Sequence, residues 1–282
     1  MAKASPKLML SLTGIALIAL GATYFFAFNE PAPKSDPAAA KQTTEKAKPA
    51  APKPFVASKN GELPNFAVIA DVKQKKQEFF GYLQPMVEKE NARILTVRSK
   101  VTDLKEKSSL SSSDQSFLND LAKKYKLAND ESGEWTEARF DQLLVRLDVV
   151  PASLTLAQAA NESAWGTSRF AREANNLFGQ WCFTKGCGVV PKSRDAGKSH
   201  EVAKFKSVQA SVNAYIYNLN SSNAYKELRN IRRILRYNGQ PISGQQLAKG
   251  LEKYSERGHE YVEEIQSMIR VNKLSTFDVA TR

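Results

Sequence analysis

One acidic residue has a position that could support chemistry. Glu162 lies in the alanine-rich stretch Ala157–Gly179, near the end of a predicted helix that stops at Trp165 and the glycine after it. The carbonyl end of a helix carries partial negative charge, which disfavours a carboxylate and raises its pKa, as would partial burial beside Trp165. A carboxyl group that keeps its proton can act as a general acid. The alternative is an ordinary surface ion pair with Arg169 or Arg172.

Two cysteines, Cys182 and Cys187, follow this stretch and are the only ones in the chain. In an exported domain this close spacing most simply gives a disulfide, which would stabilise the fold by about 2 kcal/mol. A zinc site would need two further ligands, and only His200 is near. Because the chain has only two histidines, sites built from several imidazoles are excluded, and we expect no metal and no cofactor.

The charge balance points to an anionic partner. The 282 residues include 41 Lys and Arg against 29 Asp and Glu, a formal net charge of +12. Such a surplus suits a bacterial cell wall with its carboxylates, an anionic lipid surface or a nucleic acid. Neither an RNA-binding motif nor zinc-finger spacing is present, so we expect no nucleic-acid partner. A merely solubilising surface is the alternative.

The amino-terminal part of the chain has the composition of a membrane segment followed by a linker. Residues 8–28 carry no charge and are long enough to cross a bilayer, and the lysines before them place the amino terminus in the cytoplasm. We predict an anchor, or alternatively a cleaved signal peptide, over residues 1–28. Residues 29–65 are rich in Pro, Ala and Lys and are predicted to be a disordered linker.

Helical patterns then begin near Asp71. Apolar residues recur at spacings of three and four through Phe80, Leu83, Val87, Ile94, Val97, Val101 and Leu104. We predict a helix packed along its own domain, because Pro85 interrupts the pattern and the run is short; a coiled-coil dimer stalk is the alternative. Two further helices are predicted, after Ser113 and near Trp135. Ser153 is the predicted N-cap of the helix that carries Glu162.

Two sequence blocks resemble a known family. They are Pro-Ala-Ser-Leu-Thr-Leu-Ala-Gln-Ala-Ala-Asn-Glu-Ser-Ala-Trp-Gly, from Pro151, and Asn-Asn-Leu-Phe-Gly, from Asn175. Together they closely resemble the glucosaminidase family of peptidoglycan hydrolases, and the chain as a whole is most similar to its proteobacterial Bax-type members. The resemblance implies a lysozyme-like, mainly α, α+β domain over residues 150–282, preceded by a helical extension over residues 66–149.

The resemblance also implies roles for individual residues. Glu162 falls on the family's catalytic acid. The second carboxylate, which lies on a β-hairpin in members that have one, corresponds most closely to Glu201, with Asp195 in reserve. Tyr254 matches the first residue of the family's Tyr-Ala-Thr-Asp motif, although Ser-Glu-Arg replaces the last three residues here.

Aromatic and basic residues supply candidates for substrate contact. Trp181, Tyr225 and Phe178 could stack on the apolar faces of sugar rings, and burial in the core is the alternative for each. A basic run on a predicted helix could meet the carboxylates of the wall's stem peptides or form a solvated face; it comprises Arg229, Arg232, Arg233 and Arg236.

These observations predict an endo-β-N-acetylglucosaminidase of peptidoglycan glycan strands, held in the inner membrane by residues 8–28 with its catalytic domain in the periplasm, or free in the periplasm if that segment is cleaved. Three alternatives stay open: a lytic transglycosylase, a glycoprotein endo-β-N-acetylglucosaminidase, and a non-enzymatic wall-binding scaffold. Either Glu201 or the acetamido group of the substrate could assist Glu162. The oligomeric state is not predicted.

Overall fold

The structure is a computed structural model that describes residues 62–128, 132–192, 194 and 197–278. All of them belong to one compact unit, residues 51–282. The predicted membrane segment, most of the predicted linker and Asp195 lie outside the described residues. Within the described part, no helix combines the length and apolar character that a membrane span requires.

The described chain is mainly helical. The α-helices are α1 (Val72–Lys105), α2 (Ser112–Lys124), α3 (Glu137–Arg146), α4 (Ala152–Ser163), α5 (Arg169–Ala174), α6 (Val208–Ser221), α7 (Lys226–Tyr237), α8 (Gly244–Leu247) and α9 (His259–Val271). Short 3-10 helices lie at Phe66–Val68, Asn223–Tyr225, Ala248–Leu251 and Leu274–Phe277. The mainly α, α+β class predicted from the sequence is confirmed.

A small sheet stands between α5 and α6. Its strands are β1 (Trp181–Cys182), β2 (Gly188–Val189) and β3 (Glu201–Ala203), in the order β1–β3–β2 and antiparallel throughout. Trp181 pairs with Val202, and Gly188 pairs with Ala203. A Cβ at position 188 would lie 1.9 Å from the carbonyl oxygen of Val202, so only glycine allows this pairing.

The long helix α1 runs unbroken for 34 residues, with Pro85 inside it. The prediction that Pro85 interrupts this helix is therefore wrong. Proline costs about 3 kcal/mol in a helix interior, but apolar residues are buried on both sides of it, including Phe79 and Leu83 before and Val87 and Ile94 after. Their burial, at roughly 1.5–3 kcal/mol each, outweighs that cost.

Helix α1 packs on its own domain, as predicted, and contacts α3, α4 and α6. One hydrophobic core runs through the predicted extension and the predicted catalytic domain alike. Its centre is α4, whose residues from Ala152 to Ala160 are all buried. The cap of α4 differs from the prediction: the helix begins after Pro151, and Ser153 instead bonds through its Oγ to Asp278 at 2.6 Å.

The predicted basic run is not a solvated face. Arg229 and Arg232 on α7 are buried, with 2% and 1% of their surface exposed. Arg236 donates two hydrogen bonds of 2.5 and 2.6 Å to buried Asp148. These side chains hold the fold together, because a buried guanidinium needs internal acceptors. Of the four arginines, only Arg233 is exposed.

Candidate active site

Glu162 stands directly before a turn of unusual backbone geometry. Helix α4 ends at Ser163, and the next three residues all have positive φ: Ala164 at 49°, Trp165 at 60° and Gly166 at 75°. Such angles cost a non-glycine residue about 1–2 kcal/mol. The Ser163 hydroxyl supports the turn by accepting from the Gly166 N–H at 2.7 Å. Strain held in this way is typical of functional sites.

A chain of three hydrogen bonds fixes the Glu162 carboxyl group. The Tyr215 hydroxyl donates to Gln158 Oε1 at 2.5 Å, Gln158 Nε2 donates to the Tyr261 hydroxyl at 2.8 Å, and Tyr261 donates to Glu162 Oε1 at 2.7 Å. Gln158, Tyr215 and Tyr261 are fully buried. Tyr261 thus accepts from the Gln158 amide and donates to Glu162 Oε1. With Oε1 accepting this hydrogen bond, Oε2 is the oxygen available to carry an acidic proton.

The environment of Glu162 favours the protonated form. Burial raises the pKa of its carboxyl group above the ordinary value, although the hydrogen bonds from Tyr261 and Asn161 lower it in part. Oε2 faces Gly179, where a Cβ would lie 3.5 Å from it. The pKa of Glu162 is raised, as the sequence predicted. The aromatic residue that contacts its carboxyl group is Tyr261, however, and not the predicted Trp165. The ring of Trp165 packs on α1.

Tyr254, the predicted catalytic tyrosine, lies next to this chain of hydrogen bonds. Its ring stacks on that of Tyr261 with centroids 5.6 Å apart and planes 3° apart. Its hydroxyl donates to the carbonyl of Phe178 at 2.7 Å. Tyr254 therefore packs behind Tyr261 and supports its position. The hydroxyl that contacts Glu162 belongs to Tyr261.

The three predicted substrate aromatics have different environments. Phe178 is 1% exposed and stacks on Tyr215 at 4.1 Å, so the prediction that its ring contacts substrate is wrong. Tyr225 is 7% exposed and lies against Tyr254, with centroids 5.9 Å apart. Trp181 is 59% exposed and stacks on His200 at 4.3 Å. Of the three, only Trp181 offers a free aromatic face.

The predicted disulfide is present between Cys182 and Cys187, with their Cα atoms 6.2 Å apart. Glu201, the predicted second carboxylate, lies beside it and is 4% exposed. Its two oxygens accept from the N–H groups of Gly186 at 3.0 Å and Gly188 at 2.8 Å. These hydrogen bonds hold the pKa of Glu201 below its usual range. Glu201 thus fastens the β1–β2 loop to β3.

The same three side chains lie close enough to suggest a metal site, since their ligand atoms are within 4.8 Å of one another. Metal-binding cysteines must be thiolates. Both sulfurs are instead bonded to each other, so this group does not form a metal site in its oxidised state.

Sequence reasoning missed Gln158 and Tyr261 as site residues. Gln158 precedes Glu162 by four positions and thus shares its helix face, which was a usable signal. Tyr261 follows Tyr254 closely in the chain, but nothing in the spacing connects it with Glu162, 99 residues earlier.

Glu162 is therefore a half-buried carboxyl group with a raised pKa, a property that suits a general acid. A sequence profile described as mannosyl-glycoprotein endo-beta-N-acetylglucosaminidase, the glucosaminidase profile, matches residues 138–274. Protein bax of Escherichia coli (strain K12) is 32% identical over 216 residues, which cover 77% of this chain and 76% of that protein. The chain therefore belongs to the glucosaminidase family, close to that protein, and this membership supports a glycoside hydrolase that acts on glycans.

Proposed function

We propose that this chain is an endo-β-N-acetylglucosaminidase of bacterial peptidoglycan and that Glu162 is its general acid. The observation that carries the proposal is the fixed carboxyl group, whose Oε1 is held by Tyr261 while Oε2 faces Gly179. Burial favours the protonated form that a general acid needs before it donates.

In the proposed reaction, Glu162 Oε2 gives its proton to the glycosidic oxygen as the bond from that oxygen to the sugar C1 breaks. The leaving chain departs as an alcohol. The resulting Glu162 carboxylate then takes a proton from the water that adds to C1, which restores the acid.

The second participant in our proposal is the substrate's own acetamido group, whose carbonyl oxygen attacks C1 to form a cyclic intermediate that water opens. Glu201 was the other candidate. Both of its oxygens are engaged by backbone N–H groups within the hairpin, so using it as a base would cost those hydrogen bonds. Substrate assistance is an established route for glycosidases that act on acetamido sugars.

Two surface features support peptidoglycan as the substrate. Exposed Trp181 offers a flat platform for a sugar ring, and the net charge of +12 suits the carboxylate-bearing wall. We propose that residues 8–28 anchor the chain in the inner membrane with the catalytic domain in the periplasm, or that cleavage there leaves it periplasmic.

Digestion of purified sacculi by residues 62–282 tests the activity. We expect the parent to release fragments ending in reducing N-acetylglucosamine, and Glu162→Gln to lower kcat by roughly 10²–10⁴-fold. Glutamine keeps the acceptor for Tyr261 but has no acidic proton. Fragments ending in anhydro-muramic acid would instead identify a lytic transglycosylase, and binding without release would identify a scaffold.

Two controls sharpen this experiment. Glu201→Gln should stay within about tenfold of the parent kcat while unfolding at lower temperature, because an amide cannot accept from both N–H groups. A loss of kcat as large as that of Glu162→Gln would make Glu201 the second catalytic group. A mannosylated glycoprotein serves as the competing substrate, and preferential cleavage of it would overturn the assignment to peptidoglycan.

A further inference from the structure

A second concave site lies apart from Glu162. This cavity of about 850 Å³ is formed where the end of α3, the start of α7 and the 3-10 helix Ala248–Leu251 meet. Two acidic side chains line it, those of Glu227 and Glu252. The basic side chains that line it are Arg146, Lys226, Arg229, Arg233, Lys249 and Lys253.

The two arginines that line this cavity at depth, Arg146 and Arg229, bond to neutral partners among the described residues. Arg146 donates to the carbonyl of Ser221 at 2.7 Å, and Arg229 donates to the carbonyls of Leu219 and Ser222 at 2.8 and 2.7 Å. Neither guanidinium lies within 4.0 Å of a carboxylate from the residues that the structure describes. Burial and the nearby charge of Arg146 lower the pKa of Arg229 to about 10.

This arrangement differs from that of the neighbouring arginines on the same helix. Arg232 and Arg236 lie 3.8 and 2.5 Å from the carboxylate of Asp148. Among the residues that the structure describes, Arg146 and Arg229 have no such paired carboxylate, although Glu227 and Glu252 line the same cavity. Clustering like charges without a paired counter-charge is unfavourable. A bound anion would supply the missing charge.

The lining also indicates which kind of anion fits. Leu127, Ala128, Val145 and Ala224 provide small apolar surfaces between the cations. An open cleft of this size suits a short peptide with carboxylates and small side chains. A polynucleotide would instead need an extended basic groove with exposed stacking aromatics.

The cavity is connected along the chain with the wall of the active site. Lys226 follows Tyr225, and Lys253 precedes Tyr254. The rings of these two tyrosines lie 5.9 Å apart, and Tyr254 stacks on Tyr261, the tyrosine that holds Glu162. A ligand bound by Lys226 and Lys253 would thus lie next in sequence to two tyrosines that pack behind Glu162.

We infer that this cavity binds the acidic stem peptide carried by the glycan strand, with the exposed rim lysines as its contacts and Arg146 and Arg229 adding positive charge beneath them. The inference rests on the proposed peptidoglycan substrate. Peptide binding in this cavity would make the enzyme selective for glycan strands that still carry their stem peptides.

The test uses one triple variant and one matched control in residues 62–282. Lys226→Gln/Lys249→Gln/Lys253→Gln removes three exposed rim charges. Lys73→Gln/Lys89→Gln/Lys123→Gln removes the same charge from exposed positions elsewhere. KM and kcat are measured on glycan strands with peptides and on strands stripped of them by an amidase.

Each exposed ion pair contributes only a small factor to the binding affinity, so losing three should raise KM for peptide-bearing strands by about tenfold. The kcat should stay within about twofold of the parent value. The control variant should keep the parent KM. Peptide-free strands should show one KM for all three proteins. An equal rise in both variants, or an unchanged KM in the rim variant, would overturn the inference.

Binding to the inactive Glu162→Gln protein separates this inference from the proposed activity. The probe is the free tetrapeptide L-alanyl-γ-D-glutamyl-diaminopimelyl-D-alanine. Its binding is measured by isothermal titration calorimetry. We expect binding that weakens about tenfold with the rim substitutions and with tenfold more salt. Tighter binding of a short oligonucleotide or of inorganic phosphate would identify a different ligand and refute the peptide assignment, whatever the result of the sacculus digestion.

Discussion

At the scale of residues, the Glu162 carboxyl group is subject to opposing influences. Burial raises its pKa, and the hydrogen bond from Tyr261 lowers it. Since the folded pKa is raised, folding favours the protonated form, and this advantage is lost as the pH rises through the folded pKa. Ionising Glu162 therefore costs more free energy in the folded protein than in the unfolded chain.

Removing the Tyr261 hydroxyl should change the pH profile in a defined direction. Tyr261→Phe deletes a hydrogen bond that lowers the pKa of Glu162, so the acid should stay protonated to higher pH. The alkaline limb of kcat/KM should move upward, and kcat should fall about tenfold because the carboxyl group loses its fixed orientation. Steady-state kinetics across pH measures both effects.

Tyr254→Phe is the matched control, since its hydroxyl contacts the carbonyl of Phe178. It removes an identical group from the ring stacked on Tyr261 but leaves the alkaline limb in place. A downward shift in Tyr261→Phe, or an equal shift in both variants, would refute the role assigned to the Tyr261 hydroxyl.

The residue-scale predictions from the sequence succeeded where local rules apply. The predicted direction of the Glu162 pKa is correct, with burial rather than the helix end as its main cause. The spacing of Cys182 and Cys187 correctly predicted the disulfide. The prediction for the Phe178 ring failed because burial depends on what packs against it, here Tyr215. The contact between Tyr261 and Glu162 was not predicted for the same reason, because it depends on tertiary packing between residues that are distant in the chain.

At the scale of elements, the turn after α4 is supported by the amino-terminal helices. The ring of Trp165 packs edge-on against Phe79 at 5.7 Å and Phe80 at 5.3 Å, both on α1. Gly166 lies against Phe66, where a Cβ would be 2.8 Å from the ring. The strained turn that follows Glu162 thus depends on the extension.

Gly166→Ala tests this support. Its φ of 75° is costly for alanine, and the added Cβ would also collide with the Phe66 ring. We expect a loss of about 2–4 kcal/mol in the free energy of unfolding, from backbone strain plus overpacking. The kcat should fall as well, because the displaced turn directly follows Glu162 and fixes the end of its helix. Denaturant unfolding and assays on sacculi measure the two quantities.

Gly239→Ala is the control for strain alone. Gly239 has a similar φ of 63°, and a Cβ there would have nothing within 4 Å. It should cost about 1–2 kcal/mol and leave kcat unchanged. Equal losses in the two variants would mean that Phe66 does not constrain the turn.

The elements themselves were largely predictable. The apolar spacing in α1 marked its buried face, because a periodic stripe must pack against something. The continuity through Pro85 and the cap at Pro151 were not predictable, because tertiary contacts decide them. Asp278, the partner of Ser153, lies 125 residues away.

At the scale of the whole molecule, Asp148 joins several helices. Its carboxylate lies 2.5 Å from Arg236 on α7 and 3.5 Å from Arg98 on α1. Burial raises its pKa, but these arginines outweigh that effect and the net pKa is lowered. Its stabilising contribution is thus complete above the unfolded pKa and is lost as the pH falls through the folded pKa.

The shared core predicts that the family-matched segment cannot fold without the extension. Residues 138–282 would lack α1, whose fully buried apolar side chains are Phe79, Phe80, Leu83, Val87, Ile94, Val101 and Leu104. Their burial is worth roughly 10–20 kcal/mol as an upper estimate, as much as the 5–15 kcal/mol by which domains are stable. We expect the short chain to show no cooperative thermal transition and no release of sugar, whereas residues 62–282 show both.

The separate addition of residues 62–137 is the decisive control, because restored activity would show that α1 completes the core. A cooperative transition in residues 138–282 alone would instead make the extension an accessory layer and remove the structural reason for its support of the Glu162 turn.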